Sequence, residues 1–217
     1  MTTKARGPRV FKGALVSIGS TDPNPQVISF QYNPATLKRS LKPLMVGGEA
    51  GDRSQSVRIT GAPNETYSVE IEIDAADDLE RADPVATSLG IQPQLALLEL
   101  LIYPALSRVT ENAALLSAGT IEIAPMTAPR VLFVWGQRRV LPVQLSTYTI
   151  SEEEFDANLN PIRATVSLEM RVLTYSDLSA SNADYHQYLA YQQSLVSIAN
   201  SAGAGSRDAL TGVMIVS

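Results

Sequence analysis

The chain has 217 residues, 45% of them hydrophobic, with one histidine, one tryptophan, no cysteine and a formal net charge of −5. That length and hydrophobic share support one generous domain, or a domain with an appendage, built on a packed core. The missing cysteines exclude a disulfide framework and a thiolate metal site, and the acidic balance argues against a nucleic-acid backbone as main partner.

Residues 1–9 are basic but lack the apolar run of a secretory signal. The most apolar stretch beyond them, residues 95–106, is too short to cross a bilayer and carries Glu99. A soluble protein of the cytoplasm, without nucleic acid or membrane as partner, is expected. Residues 10–18 and 27–32 read as strands joined by the turn residues Thr21, Asp22, Pro23, Asn24 and Pro25, and Asn33-Pro34 stops the second. A third extended piece covers 36–44. The cations Lys4, Arg6, Arg9, Lys12, Lys38, Arg39 and Lys42 read as solvated strand ends. The glycine-rich stretch 46–52 is a loop, not a phosphate cradle, because no Gly-Lys-Ser/Thr follows it.

Residues 65–74 alternate cleanly: Tyr67, Val69, Ile71 and Ile73 on one side, Ser68, Glu70, Glu72 and Asp74 on the other. The acidic run 74–83 lacks the spacing and glycine of a calcium loop and is expected to be a solvated connection. Pro93 opens a helix expected over 94–106, with Leu97, Leu98, Leu101 and Ile102 as its buried stripe, Leu95 and Leu106 extending it, and Pro104 terminating or bending it near its end. Residues 107–128 are ambiguous, with a short strand at 120–124. Residues 130–136 read as a strand buried on both faces, and 140–150 as another.

The longest regular pattern follows the turn Asn158-Leu159-Asn160-Pro161. Ile162, Ala164, Val166, Leu168, Met170 and Val172 alternate with Arg163, Thr165, Ser167, Glu169 and Arg171, longer than an ordinary strand needs. Beyond Thr174 the pattern becomes helical. Ser181 is the expected cap, Asp184 suits a helix N-terminus, and Tyr185, Tyr188, Leu189, Leu195 and Val196 share a face expected to dock on another surface. A glycine-containing joint at 201–206 leads to the apolar Val213, Met214, Ile215 and Val216. The whole predicts a mainly-β (α+β) fold, an antiparallel barrel or sandwich with one packed helix, in residues 1–178. Residues 179–217 form a C-terminal helical extension.

The inventory for chemistry is thin. His186 would be the only imidazole available to a triad and reads as a surface or packing residue. Glu152, Glu153, Glu154 and Asp156 read as a solvated hairpin tip rather than an acid/base pair. Trp135 reads as a core aromatic, with a sugar-stacking platform as its rival. No catalytic group, cofactor or metal is expected.

Three ordered segments resemble one family. Phe30-Gln31-Tyr32-Asn33-Pro34 resembles an F-x-Y-N-P motif near the start of the tube-domain proteins of contractile injection systems. The segment 129–136, ending in Phe133-Val134-Trp135-Gly136, resembles that family's P-x-v-x-F-x-W-G strand. The segment 160–166, Asn-Pro-Ile-Arg-Ala-Thr-Val, resembles its hairpin return, preceded by Tyr148 and Phe155. The order agrees across residues 9–175. The resemblance implies a phage-tail-tube-like antiparallel β-barrel that forms a ring, expected to be a hexamer, in the baseplate hub between spike and inner tube. Partners would be copies of itself, adjoining tube and spike proteins, and the baseplate wedge. The particle would assemble in the cytoplasm and could be released. The LysM domain that many members carry is expected to be absent. Thr165, Ser167, Glu169 and Arg171 would face the lumen or an adjoining layer. A main tube or cap subunit is the alternative within the same machine, and a monomeric carbohydrate-binding β-module using Trp135 is the alternative of another class.

Overall fold

The computed structural model describes residues 11–19, 25–46, 58–119 and 129–206. In chain order it contains β1 (Ala14–Ile18), β2 (Gln26–Ser29), β3 (Leu37–Lys42), β4 (Met45–Val46), β5 (Arg58–Ile59) and β6 (Asn64–Asp74). Four helices follow, α1 (Ala76–Glu80), α2 (Pro84–Leu89), α3 (Gln92–Glu99) and α4 (Leu106–Ser117), then β7 (Arg130–Val134), β8 (Val140–Phe155), β9 (Pro161–Val172) and α5 (Ala183–Ser206). The fold is α+β, dominated by a seven-stranded antiparallel sheet in the order β2-β1-β7-β8-β9-β6-β3, with β4 and β5 paired apart from it. The glycine-rich loop beyond Val46, the strand expected at 120–124, Lys4, Arg6, Arg9 and the apolar residues 213–216 lie outside the described residues.

The sheet is tightly coiled. Tyr67 on β6 and Phe133 on β7 are three strands apart in the ladder, which would separate them by about 14 Å in a flat sheet. Their ring centroids are 5.4 Å apart. The buried sides of the strands therefore meet across a common core made by Leu15, Phe30, Tyr67, Ile71, Phe133, Leu141, Val166, Leu168 and Met170. Helix α3 closes this core with Leu95 and Leu98, and α5 adds Tyr188 and Tyr191.

The barrel expected from the sequence differs in how it closes. Among the described residues no ladder joins the two end strands, β2 and β3. These strands are consecutive in the chain, so residues 30–36 carry the backbone from one edge of the coiled sheet to the other. The closure is a bend of one chain segment rather than a seventh strand pairing.

Several local expectations are corrected by the structure. The helix expected over 94–106 ends at Glu99, and a second helix, α4, begins at Leu106. Pro104 sits between the two, where it interrupts neither ladder. The buried stripe is Ile91, Leu95, Leu98 and Leu101, while Leu97 is half-buried and Ile102 is exposed. The acidic run is helical at α1, and Asp83 caps α2 by accepting from the backbone N–H groups of Val85 and Ala86. In β7 only Val131 and Phe133 are buried, because its other face is half-covered rather than packed. The cap of α5 is Asn182, whose Oδ1 accepts from Asp184 N, and not Ser181. The expected joint at 201–206 is the last part of α5.

Candidate functional site

Of the three segments singled out in the sequence, 30–34 makes the bend after β2, 160–166 the return of the long hairpin, and 129–136 strand β7. Phe30 is buried, and its backbone N–H donates to Gly13 O at 2.8 Å. A Cβ on Gly13 would lie 2.7 Å from Phe30 and 2.9 Å from Trp135, so both rings close on the backbone just before β1 where a side chain would have to displace them. Asn33 fastens the same corner: Gly13 N donates to its Oδ1, and its Nδ2 donates to Phe11 O, both at 2.8 Å. Gln31 spans the gap between the bend and β6, bonding Asp74 through both halves of its carboxamide. Antiparallel neighbours exchange two main-chain bonds in the same way. The carboxamide thus pairs with β6 at Asp74, beyond Val69 where the β3–β6 ladder ends.

Asp74 links this corner to the third segment. Arg163 Nε donates to Asp74 Oδ2 at 2.9 Å, and Arg163 Nη1 donates to Glu154 Oε1 at 2.8 Å. The Ala76 N–H bonded to the Asp74 carboxylate, with Arg163 beside it, holds that carboxyl below the usual carboxylate range. At the hairpin tip Asp156 accepts from the backbone of Asn158 and Asn160 and from the Asn160 side chain. Those bonds, the Asn160 side chain foremost, lower its pKa. The tip is therefore residues 156–160; Glu152, Glu153 and Glu154 belong to β8 and are exposed.

The long hairpin pairs Val143–Phe155 of β8 with Pro161–Val172 of β9, with one irregularity between Leu145 and Thr147. Together with β6 and β3 it makes a four-strand face whose outer rows are polar. One row runs Ser40, Thr66, Arg171, Gln144; the next runs Lys38, Ser68, Glu169, Thr147. Further along come Glu70, Ser167, Thr149 and then Glu72, Thr165, Ser151. Ser167 and Glu169 are exposed, Thr165 and Arg171 half-exposed, and Arg171 is paired with Asp177. Val166, Leu168 and Met170, between them, are buried. All four residues named from the sequence thus lie in one stripe on one face.

That face is bounded by two unpaired edges. The outer edge of β3 has no neighbour among the described residues. Strand β7 pairs only with Val140–Val143 of β8, so beyond Val143 β8 has no strand neighbour on that side among the described residues. Exposed strand edges of this length are sites of strand pairing unless they are covered.

Helix α5 crosses one end of the coiled sheet. Its first turn is tied to β7 by the ion pair of Asp184 with Arg130, and Gln187 Nε2 donates to Val140 O at 3.2 Å. Tyr188 and Tyr191 are buried, and burial pushes the Tyr188 hydroxyl up to about 12. Beneath them Glu65, 1% exposed, bonds Arg39 at 2.5 Å, and Arg39 and Arg139 both lie over the Tyr67 ring, at 5.8 and 5.7 Å. Removing Arg39 would leave the buried Glu65 carboxylate uncompensated. Of the face named from the sequence, Tyr188 is buried on the chain's own core, Tyr185 and Leu189 are half-buried, and Leu195 and Val196 are exposed. Tyr191 was missed. Its position, three residues after Tyr188 and seven after Asp184, carried the signal.

The residues weighed for chemistry are scattered. His186 is exposed on α5, edge-on to Tyr185 at 5.5 Å. Trp135 packs against the core beside Phe133, at 5.9 Å. Among the described residues no helix is long and apolar enough to cross a membrane.

No protein-family model and no curated protein matches the sequence. A solved structure, the six-fold symmetrised cryo-EM structure of the anti-feeding prophage baseplate, contains a similar chain at 18% identity and a TM-score of 0.29, the match covering 80% of this chain and 94% of that one. A TM-score of that size does not establish a shared fold.

Proposed function

We propose that this protein is a structural component of a contractile injection system, forming a ring layer of the baseplate hub between spike and inner tube. The observation that carries the reading is the four-strand polar face bounded by the free edges of β3 and β8. Copies joined edge to edge along these strands turn that face into the wall of one continuous barrel. Six copies contributing four strands each give about 24 strands, wide enough for an open channel. Thr165, Ser167, Glu169 and Arg171 then line it. The ordered segments support the same reading, because Gln31, Asn33 and Arg163 of the first and third fasten the bend and the hairpin return of the coiled sheet. The chain acts by assembly and not by catalysis, within a phage-tail-like particle built in the cytoplasm and able to be released.

Native mass spectrometry and electron microscopy of the chain, alone and co-expressed with its adjoining tube and spike proteins, test this. A closed ring of six is expected. A protein that stays monomeric with those partners sinks the reading, and stacked rings of this chain alone favour a main tube subunit. The sugar-binding alternative requires an open face on Trp135, and the packing of that ring beside Phe133 and close over Gly13 favours a core role.

A further inference from the structure

Helix α5 is longer than the body it crosses. It starts beside β7 and β8, at Arg130 and Val140, and its last buried residue, Tyr191, lies next to Tyr67 of β6 and Arg39 of β3. From there to Ser206 it continues for roughly 22 Å at 1.5 Å per residue. This overhang begins beside Arg39 of β3 and Tyr67 of β6. Residues 185–206 contain no Asp, Glu, Lys or Arg, whereas a helix face in water ordinarily carries charges. Instead Leu195, Val196 and Ile198 are exposed there.

A groove of about 400 Å³ lies at the other end of α5, beside Asn182 and Asp184, where β7 stops pairing with β8. Ile102, Leu145, Leu173 and Leu178 line its apolar part. Its charged members, Arg130 and Asp184, already neutralise each other. An uncharged helix can therefore enter it without stranding a charge.

We propose that the overhang of α5 docks in this groove on the next copy of the chain, with Leu195, Val196 and Ile198 against Ile102, Leu145, Leu173 and Leu178. The inference rests on the ring reading. If the β3 edge of one copy adjoins the β8 edge of the next, the helix leaving beside β3 arrives where the neighbour's groove opens. The contact is heterologous, since overhang and groove are different surfaces, and repeating it around a closed ring uses both on every copy. Each α5 then ends near the start of the next one, and the helices form a belt over one end of the ring.

A pair of cysteines tests it in a chain that has none. In the double variant Val196→Cys, Leu178→Cys, mild oxidation is expected to link copies into a ladder ending at the ring size. Val196 lies fourteen positions along α5 from Asn182 beside the groove, about 21 Å away, so a link within one chain is beyond disulfide reach. Val196→Asp, at a position 61% exposed, is expected to leave the circular dichroism unchanged and to weaken ring formation at least tenfold. A ring that forms without the link, or that tolerates Val196→Asp, overturns the docking while leaving the ring reading intact. A link to a different protein of the particle overturns it as well. A chain that is monomeric under all conditions overturns both.

Discussion

Gln31 and Asp74 stand 43 positions apart and hold the coiled sheet together: Gln31 Nε2 donates to Asp74 O at 2.7 Å, and Asp74 N donates to Gln31 Oε1 at 2.9 Å. A side-chain amide here does the work of a strand, because the chain bends at Asn33-Pro34 and cannot continue a regular ladder past that point. Gln31→Ala leaves both main-chain groups of Asp74 without a protein partner. A loss of about 1–3 kcal/mol is expected in urea unfolding. Gln31→Glu keeps an acceptor for Asp74 N but no donor for Asp74 O, and should recover only part of it. A Gln31→Ala variant as stable as the parent would show that the bend closes without this bridge.

Gly90 meets the return strand of the hairpin. A Cβ there would lie 2.1 Å from Pro161 O, at a φ of +59°, and the next residue, Ile91, donates its N–H to that same oxygen at 2.9 Å. Gly90→Ala combines a backbone clash with left-handed strain, and at least about 2 kcal/mol of destabilisation is expected. Thermal unfolding measures it; an unchanged midpoint would mean that α2 and β9 can separate at little cost.

The depressed carboxyl of Asp74 makes a prediction about acid. A carboxylate whose folded pKa lies below its unfolded value contributes stability above the unfolded pKa. That contribution disappears as the pH falls through the folded pKa. Stability should therefore decline below about pH 4, where unfolded aspartates begin to take up protons. Asp74→Asn removes the titration and weakens the bond to Arg163, so the variant should be less stable at neutral pH and show a shallower acid decline. Unfolding midpoints measured from pH 7 to pH 3 decide it, and parallel curves for parent and variant would count against Asp74 as the source.

The two faces of β9 should answer mutation differently. Leu168→Asp places a charge in the core and should cost more than about 4 kcal/mol, enough to prevent folding of a domain of ordinary stability. Glu169→Ala removes an exposed carboxylate that accepts from Thr147 and should change stability by less than about 1 kcal/mol. Soluble expression and circular dichroism separate the two. Under the ring reading, Glu169→Ala changes the surface of the channel and not the assembly of the ring.

The alternation of β6 and β9 was legible in the sequence because a strand with one buried face has a period of two, and Ile71, Ile73, Val166 and Leu168 keep it without a break. The helical extension was legible as a change of period, and the outward row Thr165, Ser167, Glu169 and Arg171 followed from the same alternation. What the sequence left undecided depends on partners far away in the chain. Whether Tyr191 or Leu195 would be buried depends on where α5 meets Tyr67 and Arg39, and no local pattern encodes that crossing. The break between α3 and α4 turned on which apolar residues the sheet could cover: Leu101 finds the core, whereas Ile102 and Leu106 do not. The motif residues Gln31, Asn33 and Arg163 could be picked out in the sequence, but their purpose could not. Each bonds a group at least 20 positions away, and such pairings exist only after the sheet has coiled. Periodicity is a property of neighbours in the chain and can be read there; closure joins residues that only the folded core brings together.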